Sequence, residues 1–303
     1  MPVASGDYHL REVTEPCDIA LATATGFGLV EDDRRLVEAL ARRDLVAESR
    51  VWDDPDVDWG AYGMCVLRST WDYFFRVEEF LAWTRRAAAA TRLENDANLV
   101  AWNSDKRYLD DLARGGVPVV ETAFIDPGVD TTLTAVLAER GWRRAVVKPA
   151  VDGGAKRLFA VNDGATAEAE AAFRGLRSKG AVLVQPFLDS VVEHGELALF
   201  LIDGELTHAA LKRPAPGDFR VQPEWGGTAA AVAPVARDIQ ATETLIEGLE
   251  SPPLYARVDL VHDEGRPLLM ELEVIEPRMF LNLSPTAAER FADAIRLRLE
   301  QGR

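Results

Sequence analysis

The sequence predicts a small parallel α/β unit followed by a longer α+β region. Two patterns carry this prediction. In residues 17–68, strand-like apolar runs flank a stretch with helical periodicity, the strand–helix–strand order of a parallel sheet. Downstream of residue 145, apolar runs come in pairs joined by Gly-containing turns, the signature of antiparallel hairpins. With 303 residues, 48% hydrophobic and 28% charged, the chain has the make-up of a globular protein large enough for more than one core.

Taken in order, residues 1–16 are polar and read as a loose leader. Strands are expected at 17–24, 45–52 and 64–68, with an amphipathic helix at 32–44 burying Leu36, Val37 and Leu40. Arg68-Ser-Thr-Trp-Asp-Tyr73 follows the third strand, at the edge where such sheets take ligands. Arg68 is therefore a candidate for a substrate carboxylate, with packing on Trp71 as the alternative. A helix over 77–90 comes next, and one over 103–112 with Asn103 or Ser104 as its N-cap, ended by Gly115-Gly116. Residues 117–122 are extended, and a helix over 129–140 stops at Gly141.

The second region starts with the β-branched run 145–149, which carries Lys148 in its middle and turns through Gly153-Gly154 into 155–161. A lysine in an apolar strand needs an anion, and glycine N–H groups approach phosphate oxygens closely. Helix 165–179, strand 181–188, hairpin 196–211, the Pro/Gly-rich loop 212–227, helix 237–249 and helix 286–299 complete the pattern. Trp71, Trp102 and Trp142 read as core residues, and His194 and His208 as structural.

Residues 255–277 hold an acidic hairpin, two apolar runs around the turn 262–267. Glu271 and Glu273 stand two apart, hence on one strand face, and pairing brings Asp259 toward them. Three carboxylates among apolar neighbours repel one another; a divalent cation with oxygen ligands relieves that repulsion, and an edge hairpin with its acidic face in water is the alternative.

The net charge of −16 argues against nucleic acid and anionic membranes as partners. No apolar run approaches the ~20 residues of a membrane-spanning helix. Two cysteines, Cys17 and Cys65, make no disulfide framework, which points to the cytoplasm.

In their order along the chain, Lys106, Lys148 with its glycine turn, Gln185-Pro186-Phe187-Leu188, Glu196, Arg220, Asp259, Glu271 and Glu273 resemble the ATP-grasp superfamily. The likeness is nearest to its glutathione synthetase-like and ribosomal S6 modification-type ligases and spans 98–277. The resemblance implies an ATP-grasp fold with an N-terminal parallel α/β domain (1–97) and two α+β subdomains (98–188 and 189–303) clasping ATP. It implies that Lys106 and Lys148 contact phosphates, that Gly153 and Gly154 fold over them, and that Gln185 to Leu188 meet adenine. Glu193 or Glu196 would hold the ribose; Asp259, Glu271 and Glu273 would hold two Mg²⁺, with Mn²⁺ a possible substitute. Lys212 and Arg220 would act at the transferred phosphate, and Arg68, Arg257 and Glu276 on the substrate side. Glu273 departs from the Asn of many relatives, and Glu276 replaces a small polar residue, so substrate identity does not transfer.

The activity implied is ligation: a small, amino-acid-like carboxylate becomes an acyl phosphate and is captured by an amine-type nucleophile. The pieces around Arg68 and Arg220 resemble small-molecule ligases of bacterial secondary metabolism, where an internal amino-oxy nitrogen can be the nucleophile. A small-molecule kinase using the same nucleotide site is the alternative. A monomer or homodimer is expected.

Overall fold

The computed structural model describes residues 18–301, so the expectations for the leader and for Cys17 lie outside the described residues. Strands β1 (Ile19–Thr23), β2 (Ala47–Val51), β3 (Met64–Leu67) and β4 (Arg92–Glu94), with helices α1 (Glu31–Ala41) and α2 (Val77–Ala90), form a parallel sheet ordered β2-β1-β3-β4. Helices α3 (Ala97–Asn103) and α4 (Tyr108–Arg114) lead into the second unit. There β5 (Ala123–Ile125), α5 (Leu133–Arg140), β6 (Ala145–Pro149), β7 (Phe159–Val161), α6 (Ala167–Arg177) and β8 (Val182–Pro186) give an antiparallel sheet ordered β5-β8-β6-β7. The short helix α7 (Asp189–His194) precedes β9 (Glu196–Ile202), β10 (Glu205–Arg213), β11 (Thr228–Ala231), α8 (Ala236–Glu247), β12 (Tyr255–Asp263) and β13 (Arg266–Glu273). These strands make a third, antiparallel sheet ordered β11-β10-β9-β12-β13, and α9 (Ala287–Gln301) follows.

The expected strands and helices are present, with one regrouping. The single helix expected over 103–112 is two helices, and neither Asn103 nor Ser104 is an N-cap: they end the first. Asp96 caps α3 instead, accepting from Asn98 N and Leu99 N at 2.8 and 3.1 Å. Asn103 ends that helix and turns inward, where its side chain has a more demanding task described below. Elements β4, β5, β11 and α7 were not expected; at three to six residues each they are too short to show periodicity.

Strand β9 explains how the sheets stack. Every residue of it is buried, because the sheet is covered on both faces. Ala198, Phe200 and Ile202 pack into one cluster with Leu21, Leu36, Met64, Phe291 and Ile295, so α9 and the first sheet cover that side. Leu197, Leu199 and Leu201 alternate to the opposite side against Leu99, Leu109 and Leu245 of α3, α4 and α8. Toward its other end the first of these faces changes character: Glu196, Lys212, Arg257, Glu271 and Glu273 replace the apolar residues and look into a cleft, with Asp259 buried behind them.

Two buried asparagines fix the acidic hairpin to its surroundings. Asn95 donates to Tyr255 O and Val274 O at 2.9 and 2.8 Å and accepts from Leu254 N. Asn103 donates to Leu272 O at 2.8 Å and accepts from Val274 N at 3.1 Å, gripping β13 beside Glu271 and Glu273. The free edge of β13 thereby finds partners it would otherwise lack. Replacing Asn103 by Ala leaves a buried N–H and a buried carbonyl unpaired, so we expect a loss of about 2–4 kcal/mol. Denaturant unfolding at constant slope measures it.

Candidate active site

The cleft opens between the second and third sheets and is roofed by the loop after β3. Its cavity of about 320 Å³ is lined by Lys106, Lys148, Gly153, Gly154, Gln185, Phe187, Lys212, Arg220, Arg257, Glu271, Glu273 and Glu276, among others. Pro186, Leu188 and Glu196 also reach it. Asp259 stands directly behind, opposite Glu271 in the hairpin register, as Arg257 stands opposite Glu273. Carboxylate oxygens of Asp259, Glu271 and Glu273 lie within 4.8 Å of one another.

The repulsion expected among these carboxylates is answered by cations of the chain itself. Lys106 Nζ meets Glu271 at 2.9 Å and donates to Asp152 O at 2.9 Å. Lys212 bonds Asp259 at 2.9 Å and is ion-paired with Glu196. Arg257 bonds Asp259 at 2.9 Å and pairs with Glu273. Burial works against the Glu271 charge, but Lys106 and Lys148 nearby outweigh it and hold its pKa at about 2. Glu273 goes the other way: burial, opposed by Arg257 but reinforced by Glu271 and Asp259, lifts it to about 7. Burial also lifts Glu276, half-buried on the cleft wall, well above the usual range, and Glu273 adds to the effect. Glu273 and Glu276 are thereby held closest to neutrality, while Asp259, Glu271 and Glu273 bring their oxygens together at one place. Three oxygen donors converging there fit a hard divalent cation.

Lys148 is the exception among the cations. Its side chain is buried on β6 and lines the cavity, yet no anion or hydrogen-bond acceptor contacts it among the described residues. Burial therefore lowers its pKa. The loop after it is shaped for close approach. Gly154 has φ +67°, and a Cβ at Gly153 would come within 2.8 Å of the Phe74 ring. Trp225 Nε1 donates to Gly154 O at 3.1 Å from the facing loop. On the cavity's other wall, Gln185 is buried with Nε2 on Thr122 Oγ1 at 2.9 Å, and the Arg144 guanidinium stacks 4.1 Å above Phe187.

Several expected residues are placed otherwise. Arg68 is buried outside the cavity, 2.8 Å from Asp33 and packed over the Tyr255 and Phe291 rings. Strand alternation explains it: Arg68 follows Met64 and Val66 to the α1/α9 side. The cleft is reached by residues beyond it, Trp71, Tyr73 and Phe74, so Trp71 is a wall and not core. Glu193 is exposed on α7 beside His194 and stays out of the cleft. Glu196 is inside but already paired with Lys212, so each limits the other's freedom for a ligand. The sequence reading also missed Phe27, Trp225 and Arg278. Arg278 spans from the Trp71 ring, at 4.6 Å, to an ion pair with Glu224.

Comparison with known proteins places this geometry. Residues 129–287 match the family described as prokaryotic glutathione synthetase, ATP-grasp domain, and residues 19–95 match the N-terminal domain of D-cycloserine synthetase DcsG. The cycloserine biosynthesis protein DcsG of Streptomyces lavendulae is 36% identical over 299 residues, covering 93% of this chain and 99% of the relative. The chain belongs to the ATP-grasp ligases, in the D-cycloserine synthetase family. A crystal structure of D-cycloserine synthetase DcsG superposes with a TM-score of 0.83 at 34% identity, covering 93% of this chain and 99% of that one. Two more distant structures share the fold. The D-alanine–D-alanine ligase of Bacillus anthracis gives a TM-score of 0.65 at 13% identity, covering 94% of this chain and 97% of its own. A RimK domain ATP-grasp protein of Sphaerobacter thermophilus gives 0.67 at 19%, covering 91% and 98%. As an ATP-grasp ligase the protein is an enzyme that uses ATP and a divalent metal ion. Among the described residues no helix is long and apolar enough to cross a membrane.

Two outcomes follow from the charge arrangement. Lys148→Met removes an unpaired buried ammonium, so the ligand-free protein should melt higher at neutral pH while ATP binds about 10–100-fold more weakly. The wild-type penalty is present while Lys148 is protonated and fades as pH climbs from its lowered folded pKa toward 10.5; the mutant lacks that rise. Calorimetric ATP titration and melting curves across pH read both effects. Glu271→Gln, in contrast, strands Lys106 without its counter-charge and should cost the ligand-free fold about 2–4 kcal/mol. The wild-type contribution is complete above 4.5 and disappears as pH falls toward about 2. Denaturant unfolding at pH 7 and at acid pH checks the sign.

Proposed function

We propose that this chain uses ATP to activate the carboxylate of a small amino-acid-like molecule and closes it onto an internal nitrogen, as in the cyclisation of O-ureido-D-serine to D-cycloserine. One observation carries the substrate reading. Residues 19–95, matched to the D-cycloserine synthetase N-terminal domain, supply Trp71, Tyr73 and Phe74 to the cleft wall, with Phe74 against the phosphate loop. The three units 1–97, 98–188 and 189–303 then have separate duties: the first shapes the substrate side, and the other two hold the nucleotide.

Lys148 and the N–H groups of Gly153 and Gly154 hold phosphate oxygens, and Lys106 moves between Glu271 and those oxygens. Gln185, Pro186, Phe187 and Leu188 frame the adenine. Glu196 stands near the ribose, and Lys212 keeps it and Asp259 in place. Asp259, Glu271 and Glu273 would hold two Mg²⁺, which when bound offset charge on the transferring phosphoryl group. The substrate carboxylate attacks the γ-phosphorus, forming a C–O–P linkage as the bond to ADP breaks. Arg257 and Arg220 place fixed positive charge where oxygen charge grows. The ureido nitrogen bound to oxygen then attacks the acyl carbon, phosphate leaves with its electron pair, and the nitrogen gives up its proton. The carbamoyl group left on the ring is lost to water as carbamate. Glu276 borders the substrate side.

A panel of D- and L-amino acids and ureido acids, scored by ADP release with and without hydroxylamine, tests this. We expect ADP release stimulated by O-ureido-D-serine, ring product without hydroxylamine, and a hydroxamate with it. A stable phosphoester would mean a kinase, and stimulation by other acids alone would move the substrate.

A further inference from the structure

Arg220 has a difficult position for a group that must meet a phosphoryl oxygen closely. It lies on the Pro/Gly-rich loop 214–227, outside any long strand or helix. A flexible arginine there contributes little unless something fixes its plane. The structure contains such a fixture. Asp218 grips the Nε and Nη2 side of the guanidinium at 2.9 and 2.6 Å, and its own pKa is driven down by that contact. The indole of Trp225 covers one face, with the guanidinium carbon 3.4 Å from the ring centroid. No partner contacts Nη1 among the described residues, and Arg220 lines the cavity. The same indole donates Nε1–H to Gly154 O, in the phosphate loop.

From this arrangement we infer that Trp225 is a positioning residue: it sets the plane of Arg220 and ties that arginine to the phosphate loop, so that both come to the transferring phosphoryl group together. The inference rests on the proposed role of Arg220. It adds that the loop carrying Arg220 is registered by one aromatic side chain with two separable attachments. The ring face holds the arginine, and the N–H holds Gly154. A tryptophan serves where phenylalanine would supply only the first.

Steady-state kinetics of the full chain separate the attachments. Trp225→Phe keeps a ring under Arg220 and loses the bond to Gly154; we expect kcat to fall about five-fold, the worth of one hydrogen bond. Trp225→Leu loses both, and we expect a fall of about 30–100-fold in kcat, with KM for the carboxylate substrate unchanged within about three-fold. ATP binding by calorimetry confirms that the variants are folded. In an Arg220→Ala background, Trp225→Leu should cost no more than the roughly five-fold of the Gly154 bond, because the ring face then has nothing left to position. Trp225→Leu within two-fold of wild type, or an equal loss with and without Arg220, would overturn the inference. If Arg220→Ala itself keeps full kcat, the role given to Arg220 fails, a result distinct from failure of Trp225 to act through it.

Discussion

Everything at the cleft depends on how charge is balanced across one end of the third sheet. Four neighbouring strands direct Glu196, Lys212, Arg257, Asp259, Glu271 and Glu273 to the same face; Lys212 and Arg257 each pair with the residue directly opposite, Glu196 and Glu273, and both also reach Asp259, one across β9 and the other along β12. Lys106, from the connection between α3 and α4, completes the set by reaching Glu271. Buried charges of this density are tolerable only when each has a partner. The result is a set of carboxylates already oriented, each holding a cation that an incoming metal or phosphate can displace. Ligand binding then becomes an exchange of partners in place of a collapse of repelling groups.

Lys148, which no anion contacts among the described residues, and Glu273, whose pairing with Arg257 does not offset its burial, are the two least compensated members, one of each sign. Burial pushes the lysine toward neutrality and the glutamate toward protonation. In the function proposed above, they face ligands of opposite charge, the polyphosphate and the divalent ion. The apolar half of the same sheet face, Ala198 and Phe200 against α9, supplies the rigidity that keeps these groups at their spacing.

Much of this was legible in the sequence for physical reasons. Strand periodicity put Glu271 and Glu273 on one face, the turn at Gly265 set the register that brings Asp259 opposite Glu271, and an isolated lysine in an apolar strand marked Lys148. The roles suggested for these residues came from their resemblance in order to ATP-grasp ligases. What failed or was missed lies where pattern gives no direction. Arg68 stands at the right strand end but on the wrong side of it, and Glu193 at the right loop but on the exposed turn of α7. Trp71, Phe74, Trp225 and Arg278 sit in loops, where no period fixes orientation and only tertiary contacts decide. The pairing of Glu271 with Lys106 was equally hidden, since the two are distant in sequence and meet only after α3 docks on β13.

The docking of α9 has a bearing on how the chain is made. Leu21, Leu36 and Met64 of the first sheet and its helix share their cluster with Phe291 and Ile295, and Arg42 pairs with Glu289, 247 residues further along. During synthesis at roughly 5–20 residues per second, that face stays uncovered for about 10–40 s after the first unit leaves the ribosome. The first sheet and its helices, residues 19–94, thus close a topology of their own without covering their own core. Their nascent form presents an apolar surface that later residues of the same chain must claim before another molecule does.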